Sequence, residues 1–179
     1  MKKLLPVKAA GDIPAIYRST PIALLLEYHN MGKEPEQHVS AQLLIGMCMD
    51  NRKQLRIPDN FAFIIRTAGA NLRYSDFAVS FAIAVGGVKH IALIAHNDCR
   101  MVNLESRREA FIEGMVRTAG WAQEEAENHF DRFAPMFEIG SETEFIASEA
   151  RRLREQYTMI TVCPMLYRVE DGTLDLVEG

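Results

Sequence analysis

What this sequence has little of narrows it first. No apolar run approaches the roughly 18 to 20 residues that cross a bilayer, so no membrane span is expected. Charge of one sign is also scarce. With 20 Lys and Arg against 24 Asp and Glu the formal net charge is −4, and no like-charged block exceeds a few residues. Nucleic acid and anionic membrane surfaces are therefore not expected partners. Cysteine is limited to 3 residues, an odd number that makes no disulfide framework. Free thiols in a reducing compartment fit better, so a cytoplasmic protein is expected. The opening Met1-Lys2-Lys3-Leu4-Leu5-Pro6 is basic but has no sustained apolar region behind it, so no secretory signal is expected. There is no internal repeat, linker or low-complexity segment. What is present is 179 residues at 48% hydrophobic composition, enough for one domain with a full core.

Along the chain, residues 1–17 show weak periodicity and read as an N-terminal arm. Thr20 and Pro21 then mark a helix start, with Ile22, Leu25, Leu26 and His29 on one face, and Asn30, Gly32 and Pro35 stop it. The runs 41–47, Phe61–Ile65 and Ile91–Ala95 read as strands, the first with both faces covered because it lacks polar alternation. Phe77, Phe81, Ala84, Val85 and Val88 recur at helical spacing between the last two, and Gly86-Gly87 closes that helix. Strand, helix, strand is a right-handed parallel crossover that brings both carboxyl ends to one sheet edge. Further on, Leu104, Phe111, Ile112, Met115 and Val116 share a helical face; Trp121 to Phe133 reads as a helix broken by Pro135. Ser141 with Glu144 reads as a capping box before Ile146, Ala150, Leu153 and Tyr157. A strand and a hairpin around Asp171-Gly172 close the chain. The fold class is α/β: a single domain with a short, mostly parallel sheet, helices on both faces and a C-terminal hairpin.

Two polar stretches follow directly on strand-like runs: Cys48-Met49-Asp50-Asn51-Arg52 and His96-Asn97-Asp98-Cys99. If the strands lie together, the thiols of Cys48 and Cys99 and the imidazole of His96 converge at their carboxyl ends. Three soft or borderline ligands suit one zinc ion with a coordination position to spare. Water in that position ionises near pH 7. Asp50 lies on the same side of an extended backbone as Cys48. It would accept the hydrogen bond of zinc-bound hydroxide and orient it, or else ligate zinc itself and shut the open position. Arg52 would hold Asp50 ionised through a bidentate pair. The loop Arg66-Thr67-Ala68-Gly69-Ala70 suits close backbone approach to a small ligand. Arg66 and Gly69 are the substrate-binding candidates, with Arg66 read either as an anion contact or as a loop anchor. Cys163 reads as a core hydrophobe, and His29, His38, His90 and His129 as surface or packed histidines.

Taken together, Cys48-x-Asp50-x-Arg52, then Arg66-Thr67-Ala68-Gly69, then His96-x-x-Cys99, each at a strand end, resembles the β-class carbonic anhydrases. The resemblance runs from about Pro21 to the segment Tyr167 to Leu176. It implies zinc on Cys48, His96 and Cys99, an Asp50–Arg52 dyad, and reversible hydration of carbon dioxide to bicarbonate and a proton. It also implies a dimer or tetramer, with active sites near the subunit interface and an N-terminal helical arm crossing to the partner. Two residues depart from the family pattern: Thr67 stands for asparagine, and Arg100 for the glycine after the second cysteine. Two other activities share the chemistry. One is hydrolysis of carbonyl sulfide or carbon disulfide, the other a zinc-binding, non-catalytic or carbon-dioxide-sensing role.

Overall fold

The computed structural model describes residues 2–178. Its six strands are β1 (Leu4–Pro6), β2 (Leu43–Cys48), β3 (Ala62–Thr67), β4 (His90–His96), β5 (Thr161–Tyr167) and β6 (Leu174–Val177). They form one mixed sheet in the order β1-β6-β5-β4-β2-β3. β2 runs parallel to β3 and to β4, and β4 parallel to β5. β6 returns antiparallel to β5 as the expected hairpin, and β1 pairs antiparallel with β6. The N-terminal segment thus lies on its own sheet, with Val7 and Ile13 buried.

Successive side chains of a strand face opposite ways, and the two cores divide accordingly. Leu43, Ile45 and Met47 of β2 join Ala92 and Ile94 of β4 in one core, covered by α1 (Pro21–Met31). Leu44 joins Ile91, Leu93 and Ala95 in the other, covered by α2 (Asp76–Ala84) and by α5 (Glu142–Gln156). Every residue of β2 is buried, as a strand without polar alternation requires. Gly46 answers to the packing: a Cβ there would lie 2.7 Å from Leu72 Cδ1. The remaining helices, α3 (Arg108–Gly114) running on into a π-type turn at Met115–Ala119, and α4 (Gln123–Phe137), lie between β4 and α5 in sequence. Among the described residues no helix is long and apolar enough to cross a membrane.

The ends of α1 follow the sequence closely. Thr20 Oγ1 accepts the Ile22 N–H at 3.2 Å, Pro21 takes the first helical position, and Gly32 ends the helix at φ 67°. Elsewhere local signals give way. α4 continues past Pro135 to Phe137, because a proline in the last turn forfeits one backbone bond while Glu138 N–H still returns to the Ala134 carbonyl at 2.9 Å. Ser141 holds the N-cap position of α5, but its hydroxyl makes no capping bond. The aromatic stripe of α2 faces outward: Phe77 is 82% exposed and Val85 69%, while Val79 and Ala82 face the core.

One buried charge joins two helices across the second core. Glu149 on α5 is fully buried and accepts from Arg152 at 2.7 and 3.0 Å and from Arg73 at 3.4 Å. Arg152 also reaches Asp76 on α2 at 3.2 Å. Both arginines are partly exposed and can rehydrate, which tempers the loss if the carboxylate is removed. Glu149→Gln is expected to lower unfolding stability by about 1–3 kcal/mol, seen as a lower urea midpoint with an unchanged m-value. An unmoved midpoint would show that the network contributes nothing net.

Candidate metal centre

Parallel pairing sets the site. β2 and β4 both deliver their carboxyl ends to one sheet edge, where β2 ends on Cys48 and β4 on His96. The chain then turns back through Asp98, whose φ of 56° is in the left-handed region that non-glycine residues seldom adopt. That turn brings Cys99 beside the other two. Cys48 Sγ, Cys99 Sγ and a His96 ring nitrogen all lie within 4.8 Å of one another, and all three residues are buried.

The histidine is set to ligate. Its Nδ1 lies 2.8 Å from the Asn97 carbonyl, which can only accept, so Nδ1 carries the proton and Nε2 offers its lone pair. Nε2 is buried and has no hydrogen-bond partner. A buried acceptor without a partner is costly, and a cation between it and the two sulfurs removes that cost. Two thiolates and one imidazole, with the second ring nitrogen fixed by a carbonyl, are a donor set that fits zinc. The thiols also act on each other. Hydrogen bonding from Cys99 pushes the Cys48 thiol down against the opposing effect of burial, whereas Cys48 and burial push the Cys99 thiol up.

Asp50 stands next to this group, its Oδ2 3.9 Å from His96 Nε2. Arg52 grips both carboxylate oxygens, Nε donating to Oδ1 at 3.1 Å and Nη2 to Oδ2 at 2.8 Å, and the Arg52 backbone N–H adds a bond to Oδ1 at 2.9 Å. These bonds, with the guanidinium foremost, hold the Asp50 carboxyl well below the usual carboxylate range. The same guanidinium donates to the Asp98 carboxylate at 2.7 Å and to its carbonyl at 3.1 Å. Arg52 therefore ties the loop after β2 to the loop after β4.

The cleft over these groups encloses about 410 Å³ and is lined by Cys48, Met49, Asp50, Asn51, Arg52, His96, Cys99, Arg100 and Met101. Arg66 and Gly69 lie behind this lining. The Arg66 guanidinium donates to the carbonyls of Cys48, Asp50 and Lys53 at 3.4, 3.5 and 3.2 Å, so it anchors the loop that carries the site. Gly69, at φ 64°, lies under Met101 and Ile139; a Cβ there would come 2.9 Å from Ile139 Cγ2 and 3.3 Å from Met101 Cβ. Thr67 is the register partner of Cys48, and its hydroxyl is buried without a hydrogen bond.

Three contributors are absent from the sequence reading. Asp98 shares Arg52, and a carboxylate between two expected ligands was a usable signal. Glu142 accepts the Cys99 N–H at 3.2 Å from the start of α5, a contact across 43 residues that no local pattern marks. Lys53 is 1% exposed with an unpartnered ammonium. Burial pushes its pKa down, opposed by the negative charge of Cys48, Asp50 and Cys99. In the polar run after Arg52 nothing separates it from a surface lysine.

No protein-family model and no curated relative matches the sequence. Solved structures do. A carbonic anhydrase from Glaciozyma antarctica superposes with a TM-score of 0.62 at 20% identity, over 92% of this chain and 99% of that one. A β-carbonic anhydrase from Trichomonas vaginalis gives 0.61 at 20% identity, over 82% and 88%. A carbon disulfide hydrolase gives 0.56 at 20% identity, over 75% and 77%. The fold of this chain is the β-carbonic anhydrase fold.

Proposed function

We propose that this chain is a zinc-dependent carbonic anhydrase that hydrates carbon dioxide reversibly to bicarbonate and a proton. The observation that carries the reading is the buried, unpartnered Nε2 of His96 converging with two thiols beside an arginine-clamped Asp50. Zinc held by Cys48, His96 and Cys99 would supply a Lewis acid that makes hydroxide available near neutral pH. The protein's own groups do the rest. Asp50, kept ionised by Arg52, accepts the O–H of the attacking hydroxide and turns its lone pair toward the carbon. Asp50 is thus an acceptor and not a proton donor. Arg52, fixed in turn by Asp98, keeps that carboxylate in place. Hydroxide and carbon dioxide combine to bicarbonate, and the next water gives its proton to solvent. Arg100 on the cleft wall offers positive charge to the departing anion. Arg66 serves by anchoring the loop, and Gly69 by leaving room for Met101.

Metal analysis with stopped-flow hydration tests this. One zinc per chain with fast hydration is expected, whereas less than about half an equivalent in carefully purified protein would sink the reading, since thiolate sites bind zinc tightly. A second reading, hydrolysis of carbonyl sulfide or carbon disulfide, is favoured by the apolar cavity that shares Met101 with the cleft. Sulfide release separates the two reactions.

The same reading makes the protein a dimer or tetramer working in the cytoplasm, where its three free cysteines stay reduced. β3 is an edge strand with Phe63 and Ile64 exposed, and Phe63 reaches the Gly86 that follows α2, so the outward stripe Phe77, Phe81 and Val85 continues the same apolar surface. A second copy is the simplest cover for an edge strand with an apolar flank. In light scattering the wild type is expected to be a dimer or larger, and Phe77→Glu with Phe81→Glu to be a folded monomer. A monomeric wild type at micromolar concentration would remove the proposal.

A further inference from the structure

Beyond the cleft, and sharing only Met101 with it, is a second cavity of about 390 Å³, apolar and open to solvent. Phe111, Phe130, Phe133 and Phe137 line it, and the one titratable side chain in its wall is His129. The half-buried His129 ring lies among aromatic neighbours: parallel to Phe111 at 6.1 Å, edge-on to Trp121 at 5.1 Å and tilted against Phe133 at 4.7 Å. The cavity therefore offers little to a charged ligand.

We propose that this cavity holds small, uncharged, linear triatomic molecules, carbon dioxide or its sulfur analogues, and passes them to the metal cleft past Met101. The inference rests on the hydration reading above and names how its substrate arrives. Such molecules have weak hydration to lose, so aromatic walls retain them at little cost. Bicarbonate carries a charge, and burying it among phenylalanines is costly. It stays on the cleft side, with Arg52 and Arg100. Substrate and product so favour different hollows, with Met101 on the wall of both. Met101 suits that position. It lies two residues after a metal ligand, is unbranched with three rotatable bonds, and is seated over the space that Gly69 leaves by having no Cβ.

Xenon is the probe, applied to the zinc-loaded full chain in crystals under gas pressure and in solution by xenon NMR. It is expected in the cavity between Met101 and Phe133. Ala134→Phe, and the milder Ala134→Leu in case the first folds poorly, fill that space at a distance from the ligands. Both are expected to expel xenon, to leave zinc content and kcat unchanged, and to raise KM for carbon dioxide about threefold to tenfold, the mark of lost binding without lost chemistry. Turnover with no xenon in the cavity overturns this proposal alone. So does a variant that excludes xenon but keeps the wild-type KM. A second copy of the chain seated in the cavity in crystals or in solution also overturns it. Zinc-loaded wild type that turns over neither carbon dioxide nor carbon disulfide overturns the hydration reading and takes the delivery role with it.

Discussion

Cys48→Ser protein comes off the column with little zinc and, on the reading proposed, with carbon dioxide hydration reduced by about 10³-fold or more. The substitution changes one atom at a buried position, so the fold is expected to survive and the chemistry not to. A serine hydroxyl does not ionise as a thiol does, and the remaining Cys99 and His96 are too few to hold the ion against a weak chelator. The measurement is zinc per chain after gel filtration, beside circular dichroism and stopped-flow hydration. Full retention of zinc would mean that the ion is held elsewhere. Unfolding of the variant would shift attention to the structural worth of Cys48, and His96→Ala then supplies the independent test, since it removes a ligand on another strand.

Asp50→Asn is expected to keep zinc and lose about 10² to 10³ in kcat. An amide can still accept through its oxygen, but its NH₂ faces the Arg52 guanidinium, and two donors there repel where a carboxylate and an arginine clasp. The orienting group is displaced while the ligands stay put. A variant with wild-type kcat would deny Asp50 its role. The pH dependence has a definite sign. Arg52 holds the Asp50 carboxyl below its ordinary value, so the carboxylate persists at all pH values above about 4, and its protonation gives no limb to the rate profile there. The linked stability follows the same direction: it is fully present above the unfolded carboxyl's range and is lost as pH falls through the lower folded value.

Much of this was written in local sequence. The unbroken apolar runs of β2 and β4 predict buried parallel strands, and parallel strands force their ends together, so Cys48 and His96 meet without any knowledge of the helices. Asp50 and Arg52 are two and four residues beyond Cys48, close enough for spacing alone to relate them. What the sequence could not show depends on distance or on sheet order. β3 reads as apolar as β2, yet one is an edge and the other is central, and only the strand order tells them apart. The α2 stripe has helical spacing whether it faces a core or an interface. Lys53 and Glu142 come to the site through tertiary placement, and Arg66, read from the sequence as either anion contact or anchor, donates to three carbonyls whose positions follow from how the loop folds.

That edge strand joins two properties of the molecule. β3 is the strand left bare at the side of the sheet, and it is also the strand from which Arg66 holds the Cys48–Lys53 loop by its carbonyls. A second copy seated along that edge, as proposed, would pack against the strand whose Arg66 makes those three hydrogen bonds. On the proposal that a second copy covers this edge, the amount of protein present would become a variable of the chemistry, with no ligand acting as messenger.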